Sequence, residues 1–165
     1  MNIWGPHLEG ARLLDLFAGS GAVGVEALGR GAGAVTWVEK HPRALAMLRA
    51  NLDQLGVGGR AARIVGLDLP SGLGRLDGPF DLVFADPPYA FEQHEAVLAG
   101  VVPLLAAGAR LAVEHGPRPR PLRPPPGLRA SGERSYGDTV LAFFELPVAG
   151  CAPASTGEGP SDDSG

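Results

Sequence analysis

The chain has almost no lysine and almost no cysteine. Lys40 is the single lysine among fourteen basic residues, and Cys151 is the single cysteine. One cysteine forms no intrachain disulfide, and no Cys/His group has metal-ligand spacing, so neither a disulfide nor a structural metal is expected. Long apolar runs are also missing: none approaches the roughly 18 to 20 residues of a membrane span. The start, Met1-Asn2-Ile3-Trp4-Gly5-Pro6, lacks the basic-then-apolar order of a secretory signal. What remains is 165 residues, 45% hydrophobic and 19% charged, enough for one globular domain with a substantial core. The expectation is a cytoplasmic protein with no membrane partner.

Net positive charge is lacking too. The formal charge is −4, which argues mildly against a nucleic-acid partner. Its distribution weakens that objection. Pro147 to Gly165 carry Glu158, Asp162 and Asp163 and no Lys or Arg, so the rest of the chain carries −1. Between Arg110 and Arg134 lie six arginines (110, 118, 120, 123, 129, 134) against Glu114 and Glu133, a local +4. Phosphates bind such local patches. A solvated, Arg-rich loop is the other reading.

What is present is an alternation of short apolar runs with helical patterns. Arg12 to Phe17 reads as a strand that ends in a Gly-rich turn, and helix-like Ala22 to Leu28 follows. Ala34 to Glu39 is a second strand. Pro42 suits a first helical turn. Leu45, Leu48, Leu52 and Leu55 then mark one face of a helix ending at Gly56. Ala62 to Val65 is a weak third strand and Phe80 to Ala85 a strong fourth. Glu95 to Leu105 suggests a helix stopped by Gly108, with Pro103 interrupting it or near its last turn. Arg110 to Glu114 and Thr139 to Leu146 complete the strands. Pro117 to Pro126 is a Pro/Arg-rich loop. Residues 1–146 are expected to form one domain, and 147–165 a disordered tail. Alternating strands and helices imply a mostly parallel sheet covered on both faces, with ligands at the carboxyl ends of its strands.

The first turn reads Asp15-Leu16-Phe17-Ala18-Gly19-Ser20-Gly21-Ala22-Val23-Gly24. Glycines there let a ligand approach the backbone, and a helix start leaves N–H groups free. Gly19, Gly21 and Gly24 fit G-x-G-x-x-G, although a tight turn without a ligand would also explain them. Glu39 ends strand two 18 residues after Gly21, where a carboxylate would accept from ribose hydroxyls. Asp15 favours S-adenosylmethionine over a dinucleotide: a carboxylate there suits a methionine ammonium and would repel a pyrophosphate. Asp68, after strand three, is placed either to accept from an adenine amino group or simply to serve a surface turn.

Asp86-Pro87-Pro88-Tyr89, after the fourth strand, is the strongest signal. Two prolines stiffen the backbone. The Asp86 carboxylate and Pro87 carbonyl then offer two acceptors to one planar amine, and Tyr89 offers a ring for stacking. These parts suit methyl transfer to an exocyclic amino group, which needs positioning and stabilisation of charge growing on nitrogen. The base would leave its stack to enter. The bland alternative is a rigid Pro-Pro turn with a buried Tyr.

Asp15 to Gly21, Val38-Glu39-Lys40, Asp86 to Tyr89 and Ser135-Tyr136-Gly137-Asp138-Thr139 resemble, in the same order, the bacterial 16S ribosomal RNA guanine-N2 methyltransferases. The resemblance runs from about Leu8 to Leu146. It implies an α/β class I methyltransferase fold, a seven-stranded Rossmann-like sheet with helices on both faces and an antiparallel last strand. It implies S-adenosylmethionine as donor and 16S rRNA as partner, within the small subunit or an assembly intermediate, and a monomeric enzyme. By motif, Asp15, Gly19 and Gly21 would line the methionine end, Glu39 the ribose and Asp68 the adenine, with Phe17, Ala18, Lys40 and Leu69 also among the cofactor-binding residues. Asp86, Pro87, Pro88 and Tyr89 would hold the target base. Family members usually carry further residues before the first strand, and Met1 to Trp4 resembles the end of that segment. The expectation is an upstream start or a natural truncation.

Four rival readings remain. A DNA adenine methyltransferase shares the Asp-Pro-Pro-Tyr chemistry, but 165 residues leave little room for a target-recognition region. A non-catalytic module binding S-adenosylmethionine or RNA fits the short N-terminus. A nicotinamide-dependent oxidoreductase rests on the glycines and Glu39 and leaves Asp86 to Tyr89 unexplained. A protein-glutamine methyltransferase would more often carry Asn at position 86.

Overall fold

The computed structural model describes residues 3–117 and 121–148. The described elements run β1 (Arg12–Leu16), α1 (Ala22–Gly29), β2 (Ala34–Glu39), α2 (Pro42–Gln54), β3 (Ala62–Gly66), β4 (Phe80–Ala85), α3 (His94–Val101), β5 (Leu105–His115), β6 (Arg129–Tyr136) and β7 (Thr139–Glu145). They form a seven-stranded sheet in the order β3-β2-β1-β4-β5-β7-β6. β1 to β5 are mutually parallel where they pair, and β7 runs antiparallel to both β5 and β6. The fold class expected from the resemblance is borne out, including the antiparallel last strand.

Each central strand sends alternate residues to opposite faces. Leu13, Trp37, Leu82, Phe84 and Ala112 pack with Ala27 of α1 and Leu48 and Leu52 of α2. Leu14, Leu16, Val83, Val113 and Phe144 pack with Val97, Leu98 and Val101 of α3 on the other side. Burial on both faces explains why β1 and β4 read as nearly continuous apolar runs. The strand order reverses direction between β1 and β4, and the cleft opens there at the carboxyl ends.

Three local expectations need correction. The helix expected from Glu95 to Leu105 ends at Val101, and Val102–Leu104 is a 3-10 turn. Pro103 cannot donate to the helical ladder, and Leu105 already belongs to β5. Gly108 therefore lies within β5. The β4–β5 register shifts between the pairs Phe80–Leu105 and Leu82–Arg110. Leu55 lies beyond α2 and is 59% exposed, so it does not extend the buried face of Leu45, Leu48 and Leu52.

β6 escapes the apolar pattern altogether. All eight of its residues are exposed, and it carries Arg129, Glu133 and Arg134. Such polarity suits an edge strand. It is joined to β7 by the two-residue turn Gly137-Asp138, with Gly137 at φ +59°. A positive φ at the first central position is the geometry that places glycine in a tight hairpin. Arg129 pairs with Glu145 of β7, and the Arg134 guanidinium lies 5.2 Å from the Phe143 ring centre. The expected tail falls outside the described residues from Ala149 onward. So do Met1, Asn2, Arg118, Arg120 and Cys151.

Candidate active site

The glycine turn is shaped first by packing. Gly21 has φ +80°, and a Cβ there would meet Leu48 Cδ1 at 2.2 Å. A Cβ on Gly24 would fall 2.3 Å from Trp37 Nε1. Trp37 Nε1 donates to the Gly21 carbonyl at 3.2 Å, fastening the turn to β2. The third glycine of G-x-G-x-x-G thus permits close helix–strand packing. Phe17, leaving β1, has φ +58°, rare for a side chain of that size.

Asp15 lies beneath this turn, 2% exposed, and its Oδ2 accepts from the Gly24 N–H at 3.1 Å. Burial raises its pKa to about 8, against the lowering effect of that hydrogen bond; the charge of Asp86 adds a smaller upward push. Glu39 is a hub. Its Oε2 accepts from Gly19 N–H at 3.0 Å, and its Oε1 from Lys40 N–H and His41 N–H, both at 2.8 Å. A carboxylate has about four acceptor positions. Three are taken, so holding two ribose hydroxyls would require one of these N–H groups to give way.

A cleft of about 430 Å³ opens above these elements. Phe17, Glu39, Lys40, Asp68 and Leu69 line one part of it, and Asp86, Pro87, Pro88 and Tyr89 another. Asp15, Ala18, Gly19 and Gly21 are not among its lining residues; they form or underlie the turn beside it. Lys40 Nζ reaches Asp68 Oδ1 at 2.9 Å, and this hydrogen bond and charge lower the Asp68 pKa. Both side chains are exposed, so the pair adds little to stability.

Asp86 follows β4 directly, and partial desolvation raises its pKa. Pro87 is buried, and Tyr89 is 81% exposed at the rim. The buried Tyr of the bland alternative is therefore absent. Phe91 packs edge-on against Phe17, with ring centres 5.0 Å apart, closing the apolar wall of the cleft. Glu114, near the end of β5, lines the same cleft. Desolvation, and then the charge of Asp86, raise its pKa. Thr139, in the motif segment at the β6–β7 turn, lines a smaller adjoining cavity with Asp86, Tyr89, Glu114 and His115. Sequence reasoning passed over Phe91, Glu114, His115 and Thr139 as site residues. For Glu114 and His115 the missed signal is their place at the carboxyl end of a parallel strand.

Residues 1–145 match the family described as conserved hypothetical protein 95. The chain belongs to that family. Among curated proteins it is 29% identical, over 87% of its own length and 80% of the relative's, to the candidate rRNA methyltransferase YlbH of Bacillus subtilis. It is 40% identical to ribosomal RNA small subunit methyltransferase D of Escherichia coli, over 51% of this chain and 41% of that protein. A further match, 34% identical over 65% of this chain and 50% of the relative, is the tRNA1(Val) (adenine(37)-N6)-methyltransferase of Shewanella. Among solved structures, the candidate methyltransferase yhhF from Escherichia coli superposes with a TM-score of 0.76 at 30% identity, covering 87% of this chain and 79% of that one. The family resemblance read from the motifs is borne out. Among the described residues, no helix is long and apolar enough to cross a membrane, and no group of His, Cys, Asp and Glu could hold a metal.

Proposed function

We propose that this protein transfers a methyl group from S-adenosylmethionine to the exocyclic N2 amine of a guanine in 16S rRNA. The observation that carries this reading is one cleft lined both by the carboxyl ends of β2 and β3 and by Asp86-Pro87-Pro88-Tyr89 after β4. Its volume suits a nucleoside-sized ligand. When bound, S-adenosylmethionine supplies an electrophilic methyl group. Glu39 would accept from the ribose, Lys40 and Asp68 would edge the adenine end, and Leu69 and Phe17 would provide apolar contacts. Ala18, Gly19 and Gly21 shape the turn near the methionine end. Asp15 stands behind that turn, where an ammonium would favour its ionised form.

At the other end the chain's own groups position the amine. The Asp86 carboxylate and the Pro87 carbonyl accept its two hydrogens and turn the nitrogen lone pair toward the donor. The same acceptors stabilise the positive charge that grows on nitrogen. Tyr89, exposed at the rim, replaces the stacking a flipped base gives up. The rRNA substrate rests on the relatives' names. Arg123, Arg129 and Arg134, beyond β5, would offer positive charge to the phosphates of a ribosomal particle.

Adenine-N6 methylation is the second reading, favoured by the tRNA-modifying relative. Transfer of labelled methyl groups to undermodified 30S particles, to naked rRNA and to tRNA separates the two. The guanine reading expects incorporation into 16S rRNA, and incorporation into tRNA alone would reject it.

A further inference from the structure

Among the described residues, four acidic side chains line the cleft, and two of them are already engaged. Glu39 accepts from three backbone N–H groups, and Asp68 pairs with Lys40. Asp86 and Glu114 are left, with no side-chain hydrogen bond or ion pair to a described residue. Parallel pairing of β4 and β5 runs through Phe84–Ala112 and Ala85–Val113, so the next step brings Asp86 beside Glu114. Adjacent parallel strands lie about 4.8 Å apart, and residues in register point to the same face. Both residues line the large cleft, and both line the smaller cavity that reaches His115 and Thr139. His115 itself is nine-tenths buried there, with Nδ1 at 2.6 Å from the Gly116 carbonyl oxygen and Nε2 without a partner among the described residues. Gly116, two residues past Glu114, packs under Tyr89: a Cβ there would stand 3.2 Å from the Tyr89 ring. The stacking ring, the amine acceptor and Glu114 therefore surround one spot.

The chemistry of base edges gives Glu114 a task. Guanine carries a ring N–H, at N1, directly beside its exocyclic amine. Adenine and cytosine carry a lone pair at the corresponding ring nitrogen. An ionised carboxylate next to the amine acceptor welcomes the first and repels the other two. We propose that Glu114 is the residue that selects guanine, its carboxylate accepting the N1–H while Asp86 and Pro87 hold the neighbouring amine. This rests on the guanine-N2 reading above and adds to it the group that enforces the choice. A site built to accept a hydrogen bond rejects analogues lacking the donor far more strongly than an apolar pocket rejects a small change of shape. Desolvation and, after it, crowding by the charge of Asp86 raise the Glu114 pKa. An N–H donor relieves that crowding, and a lone pair worsens it.

The test compares guanine with 2-aminopurine, which keeps the amine at C2 but has a lone pair at N1. The methylated nucleoside is first mapped in undermodified 30S particles. Short synthetic RNAs then carry either base at the mapped position, and methyl transfer is measured for the wild type and for Glu114→Gln. The wild type is expected to favour guanine by roughly 100-fold or more in kcat/KM. Glutamine presents either an N–H or a carbonyl, so the variant is expected to narrow that ratio to within about 10-fold. A wild-type ratio near one would overturn the proposal, and that arm needs no variant to fold. An unchanged ratio in Glu114→Gln would overturn it as well, with the guanine-N2 reading intact. A mapped product of N6-methyladenosine would overturn both.

Discussion

Asp86 and Glu114 each follow one member of the Ala85–Val113 pair of neighbouring parallel strands, and both line one cleft. Desolvation raises both carboxyl pKa values, and the charge of Asp86 raises that of Glu114 further. Acceptance of amine hydrogens requires the ionised form. Activity should therefore rise with pH through a carboxyl group titrating above the usual range of about 4. A pH profile of kcat/KM checks this; a flat profile from pH 4 to 8 would contradict it.

Asp15 titrates far from its ordinary value, and the consequence falls on stability. Its folded pKa is about 8, against an ordinary value of 3.8. Between those values the native state holds the proton and the unfolded state does not, so stability falls as pH rises through this window. Asp15→Asn removes the titration and keeps an acceptor for the Gly24 N–H. Thermal melts should place the variant above the wild type at pH 8 to 9, with the gap closing toward pH 4.

The glycine turn predicts opposite outcomes for two alanine substitutions in α1. Gly24→Ala would force a Cβ into Trp37 and Val35, at 2.3 and 2.7 Å. Overpacking of this kind costs about 1–3 kcal/mol or more. Gly29→Ala meets nothing within 4 Å at a position without positive φ. It should stabilise by about 0.4–1 kcal/mol through the unfolded chain. Denaturant titrations of the two variants measure both, and equal effects would refute the packing account.

The central strands and the cleft were legible because their signals are local. β1 and β4 announce themselves as apolar runs, and Asp86-Pro87-Pro88-Tyr89 is a contiguous segment with its own chemistry. What escaped the sequence depends on pairing. β6 is exposed along its whole length and is defined only by its ladder with β7. Glu114 looks like any charged strand end until register brings it beside Asp86. Asp15 could be read as a cleft residue from its place before the glycines, yet its side chain turns under α1 to Gly24. The helix expected through Leu105 failed because apolar spacing continues past Pro103 into β5. Pattern alone does not tell a helix end from a buried strand start.

Removing the Asp86 acceptor should separate chemistry from binding. Asp86→Ala removes the side-chain acceptor, which asparagine, with its amide carbonyl, would still present. Methyl transfer should fall by about 100-fold or more. Binding of S-adenosylhomocysteine, followed by calorimetry, should stay close to wild type. Wild-type turnover in this variant would remove Asp86 from the reaction.

The most direct test is the identity of the methylated nucleoside. Undermodified 30S particles are incubated with the protein and labelled S-adenosylmethionine, the 16S rRNA is digested to nucleosides, and the labelled product is resolved by mass spectrometry. The account predicts N2-methylguanosine at a single position. N6-methyladenosine, or no label in rRNA with label in tRNA, would contradict it.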